Sequence, residues 1–81
     1  MSIIAEFLDK LPEDNQIAIS KMLEYLSEDD VGFIEDYLLF EFEIPTNILD
    51  KINHAFRLAG HPQFCWENCL IDKSGLRFSF D

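Results

Sequence analysis

The chain has 81 residues, sixteen Asp or Glu against six Lys or Arg, and a formal net charge of −10, with 48% hydrophobic residues including eight Phe. That length makes one domain, residues 1–81, with a core small enough that its stability is marginal. The charge argues against DNA, RNA or an anionic membrane surface as a direct ligand, because binding phosphates depends on Lys and Arg to neutralise them. It suits a basic partner protein instead, although acids that do no more than keep a small protein in solution are equally common.

The N-terminus carries no basic stretch and reaches an acid at Glu6, so no secretory signal is expected. No apolar run approaches a membrane span. With two Cys in all, the reducing cytoplasm is the expected compartment and the thiols are expected to stay unoxidised.

Ile3, Ile4, Phe7, Leu8 and Leu11 follow the spacing of one helical face, and Pro12 disfavours helix at Leu11, so the first helix is short. A helix of that length must dock onto the rest of the chain or onto a second copy. Pro12-Glu13-Asp14 starts the next helix, with acids at its positive dipole end. Up to Leu26 it presents Ala18, Ile19, Met22, Leu23, Tyr25 and Leu26 to the core, with Ile17 the apolar exception on the other face.

Residues 22–50 hold nine carboxylates and no Lys or Arg, yet they are also rich in aromatic and aliphatic side chains, unlike a disordered acidic tail. Ser27 is an N-cap with Asp30 three residues on, and three acids crowd the first turn. Capping explains those acids in part. On a helical wheel Glu28, Asp29, Gly32, Glu35, Asp36 and Glu43 share one wedge, which predicts an anionic ridge bordered by buried aromatics. The far end of this helix has two readings. Period-2 alternation over Phe40-Glu41-Phe42-Glu43-Ile44 fits a short third strand at 40–44, whereas Pro45 is the first stop signal for a helix running through it.

Thr46 or Asn47 caps a further helix that ends at Gly60. Ile48, Leu49, Ile52, Ala55, Phe56 and Ala59 form its apolar face, with Lys51 at the edge, and Asp50 and His54 are spaced as a surface pair. The last part reads as a β-hairpin: an apolar strand within 63–72, a turn at Asp72-Lys73-Ser74-Gly75, and strict alternation over Leu76-Arg77-Phe78-Ser79-Phe80. The expected fold class is therefore α+β, mainly helical: three to four short amphipathic helices followed by a C-terminal β-hairpin.

Little of this points to catalysis. His61, Cys65 and Cys69, with His54 upstream, are zinc-ligand types, but on a strand residues four apart lie about 13 Å from each other and cannot share a metal, whereas on a helix the Cys pair would come within reach. Buried thiols acting as small hydrophobes are the expectation, with no metal and no cofactor. There is no phosphate loop, nucleophile elbow or His-Glu-x-x-His, so no catalytic residue and no enzyme activity are expected. Ser27, Val31, Phe33-Ile34, Phe42 and Glu43-Ile44-Pro45 resemble the carrier-arm helix of acyl carrier proteins over residues 27–45. The chain departs from that family where it matters: Leu26-Ser27-Glu28 stands in place of the Asp-Ser-Leu that receives phosphopantetheine, so no carrier role follows.

The function expected from these features is that of a small acidic inhibitor or adaptor occupying a basic site on a partner protein. The partner would be a toxin, nuclease or nucleic-acid-binding enzyme, as with immunity proteins, antitoxins and phage-type DNA mimics. Glu28, Asp29, Glu35, Asp36 and Glu43 are its expected contact residues, with Tyr37 among the aromatic anchors alongside Tyr25, Phe33 and Trp66. The alternative is an oligomerisation module, a homodimer for instance, whose apolar surface mediates assembly while its acids only solubilise it.

Overall fold

The computed structural model describes residues 3–69, with side chains placed through Glu67. Among the described residues four helices and a short helical turn follow in chain order: α1 (Ile3–Asp9), α2 (Glu13–Leu23), α3 (Glu28–Phe40), α4 (Thr46–Leu58) and α5 (Trp66–Cys69). No strand occurs among the described residues, and none of their helices is long and apolar enough to cross a membrane.

The α+β expectation is thus corrected to an all-helical fold over the described residues. Trp66–Cys69, read as strand, is a helical turn. An apolar run this short cannot be assigned from periodicity alone, and Trp66 is buried from a helical turn. Residues 70–80, the end of the first strand, the turn and the second strand of the expected hairpin, lie outside the described residues.

The proposed strand at 40–44 is also overturned, as is a helix running up to Pro45. α3 stops at Phe40, and Glu41 adopts the left-handed conformation (φ 59°) while its N–H donates to the Tyr37 carbonyl at 2.9 Å. Two physical reasons favour the break. Pro45 sterically excludes helical geometry at Ile44. A continued helix would also set Ile44 on the same side as the exposed Phe33 and Phe40, whereas the turn at Glu41 lets it bury.

The other helices form as their residues dictate. α1 turns Ile4 and Phe7 inward and runs into the buried Leu11, whose carbonyl accepts from the Gln16 side-chain Nε2 at 3.0 Å. It packs on α2 and α3, so this short helix finds its partners within the chain. α2 buries Ala18, Ile19 and Met22 and packs along α4. Its last turn tightens into i→i+3 bonds from Glu24, Tyr25 and Leu26, so the regular helix ends at Leu23 and Tyr25 swings out to solvent. α4 buries Ile48, Ile52, Ala55 and Phe56. Its end is a Schellman motif: Gly60 (φ 85°) donates to the Arg57 carbonyl at 3.1 Å, and His61 to the Phe56 carbonyl at 2.9 Å.

One core cluster unites these elements, with Phe7, Ile19, Met22, Ile34, Ile52 and Phe56 at its centre. Trp66 closes it, its ring 6.5 Å from that of Phe7 and edge-on to Tyr37 at 5.6 Å.

Candidate functional site

The acids of α3 start from a helix cap. The Asp30 N–H donates to Ser27 Oγ at 3.2 Å, satisfying one of the orphan donors of the first turn, and Glu28, Asp29 and Asp30 stand where the helix dipole favours negative charge. Asp30 turns away from the other two. Its carboxylate is only 13% accessible and lies 3.5 Å from Lys51 Nζ on α4, so it ties α3 to α4.

From there the ridge climbs the outer face. Glu28, Asp29 and Asp36 are exposed, and Glu35 is half-buried. Gly32 lies among them, with open space where a Cβ would be. None of these four carboxylates forms an ion pair among the described residues. Glu43, placed in the same wedge by the helical wheel, is exposed but lies beyond the end of α3, so it reaches solvent from the loop before Pro45.

The expected aromatic anchors divide. Trp66 is 5% exposed, and its edge contact holds the half-buried Tyr37, so both serve the packing of α1, α3 and α5. Tyr25 and Phe33 do reach solvent. The sequence reading passed over the most exposed large apolar side chains among the described residues, Leu39, Phe40 and Phe42, at 55%, 59% and 60%. Four of the seven large apolar side chains exposed among the described residues fall within 33–42. The signal was available: Leu39 follows Glu35 and Asp36 at i+4 and i+3, inside the acid wedge and away from the buried Ile34 and Leu38. Phe40 and Phe42 lie on either side of Glu41 with ring centroids 5.2 Å apart.

The ridge is therefore not bordered by buried aromatics alone. Carboxylates and exposed hydrophobic side chains alternate on one face, and that face can do two things: attract a cationic surface from a distance and hold it by desolvating apolar contacts.

Elsewhere, a concavity of about 390 Å³ lies between α2 and the segment after α4, lined by Asp14, Ile17, His61, Gln63 and Phe64. The His61 ring stands edge-on to Phe64 at 6.3 Å. Cys65 is half-buried just before α5, and the side chain of Cys69 falls outside the described residues. Among the described residues no three His, Cys, Asp or Glu side chains come together as a metal site.

No family model, curated protein or solved structure matches this chain.

Proposed function

We propose that the protein is a small acidic inhibitor or adaptor that occupies a basic site on a partner protein, with the outer face of α3 as its contact surface. The observation that carries this reading is the set of carboxylates on that face, Glu28, Asp29, Glu35 and Asp36, none of them in an ion pair among the described residues, beside exposed Phe33, Leu39 and Phe40. A face kept only for solubility has no need of large apolar side chains among its acids. Glu43 adds charge from the adjoining loop. Tyr37 supports the surface from beneath through its contact with Trp66.

The mechanism is steric and electrostatic. Unneutralised charge raises the encounter rate with a basic groove, and rim charges set the salt dependence of binding. The partner fitting this surface is a nuclease, toxin or other nucleic-acid-binding protein, whose own basic site the carboxylates would fill in place of phosphates.

The test compares wild type with Glu35→Lys/Asp36→Lys as baits at low salt, with elution by a salt step. A basic protein held by the wild type, released by salt and absent from the reversed bait supports the reading. Equal capture by both baits rejects it.

A second reading rests on the same exposed side chains: Leu39, Phe40 and Phe42 as the contact between two copies. Like charge works against it, because such pairing also brings two sets of α3 acids together. Salt discriminates, since apolar assembly strengthens or holds where electrostatic binding fades.

A further inference from the structure

Phe40 and Phe42 are large, exposed and paired with each other at the end of α3, where a helix presents the negative end of its dipole. No Lys or Arg occupies the last turn of α3 to complement that end, and Glu41 and Glu43 add two exposed carboxylates directly after it. Leu39 stands one turn beyond Glu35, and Phe40 one turn beyond Asp36, so each apolar side chain neighbours an acid on the helix surface.

We propose that this corner, Leu39 to Glu43 with Glu35 and Asp36 behind it, is the seat for one kind of segment on the partner protein: a stretch in which Arg or Lys alternates with apolar side chains. The inference rests on the reading above and narrows it. The apolar side chains cover Leu39 and the Phe40–Phe42 pair, while the cations meet Glu35, Asp36, Glu41 and Glu43 and pass over the ring faces, where a guanidinium is attracted by the aromatic quadrupole. Charge complementarity chooses this occupant over a second copy, which would bring its own acids to an already anionic corner. It also separates the surface from a pure phosphate mimic, for which exposed Phe rings would be a burden rather than a contact.

The test uses the full chain, 15N-labelled, with two short peptides of equal length and charge. One alternates Arg with Leu and the other Arg with Ser. The expected result is that the Arg–Leu peptide binds about tenfold tighter, with amide shifts centred on 39–43. Phe40→Ser/Phe42→Ser, and Phe42→Ser alone as a milder variant, should erase that preference with helical content unchanged, because both rings are exposed. Glu35→Lys/Asp36→Lys should weaken both peptides alike.

Equal affinity for the two peptides overturns the proposal, as does a preference that survives the serine variants. If in that case Glu35→Lys/Asp36→Lys still weakens both, the electrostatic reading stands without the apolar seat. If neither peptide binds, both fall. Serine variants that disperse a dimer in sedimentation assign the corner to a second copy and overturn the proposal. So does a shift at residues 76–80 on substituting Phe40 and Phe42 without peptide, which assigns it to the chain's own Leu76, Phe78 and Phe80.

Discussion

Asn53 Oδ1, on α4, accepts the backbone N–H of Trp66 at 2.9 Å across thirteen positions of sequence. The bond satisfies a donor in the first turn of α5 and fixes the depth at which the indole enters between Phe7 and Tyr37. Asn53→Ala should cost about 1–2 kcal/mol, because it strands a partly buried N–H. Trp66 is the only tryptophan in the chain, so its emission reports the docking of α5: a red shift before global unfolding is the expected outcome. Trp66→Ala should cost about 3–5 kcal/mol and leave the domain largely unfolded at ambient temperature, as followed by helical circular dichroism.

One position within α3 and one directly after it are conformationally suboptimal. Gly32 sits mid-helix with nothing within 4 Å of an added Cβ. Gly32→Ala should therefore stabilise by about 0.5–1 kcal/mol, raising the melting temperature by several degrees.

Glu41 holds a left-handed conformation with a side chain that disfavours it. Glu41→Gly should stabilise by about 1 kcal/mol, read by urea titration with an unchanged slope. A loss of stability here would mean that the Glu41 side chain makes a compensating interaction in the folded chain.

The acids of α3 differ in what they contribute to the helix itself: Glu28 and Asp29 lie in its first turn, whereas Asp36 does not. Ser27→Ala should cost about 1 kcal/mol through loss of the cap, and Glu28→Gln or Asp29→Asn about 0.3–1 kcal/mol through the helix dipole. Asp36→Asn, two turns on and exposed, should leave the melting temperature unchanged. Chemical denaturation of the four variants measures the contrast, which disappears if neither the Ser27 cap nor the helix dipole contributes to stability.

Local rules made α2 and α4 legible. Pro12-Glu13-Asp14 opens α2, Gly60 closes α4, and the buried positions Ala18, Ile19, Met22, Ile48, Ile52 and Phe56 follow helical spacing, although Pro45 rather than Thr46 or Asn47 holds the N-cap position of α4. Ser27 was likewise readable as a cap. The end of α3 was less so, because the period-2 pattern over 40–44 imitates a strand. The restriction that Pro45 places on Ile44 argued against a continuous helix without showing where the turn would come. The candidate surface followed suit: Glu28, Asp29, Glu35 and Asp36 stand together as their spacing predicts, while the helix end moves Glu43 to a loop and uncovers Phe40 and Phe42.

By itself the sequence determined the charge, the Ser27 cap, the Gly60 stop and the buried positions of α2 and α4, since these depend on neighbours within a turn or two. Only the tertiary structure decided that Trp66 fills the gap by Phe7 and Tyr37, that the turn at Trp66 is helical, and that Asp30 is paired with Lys51 while Asp29 is not. Those outcomes depend on the space left between helices distant in sequence, and a residue's immediate neighbours carry no measure of that space.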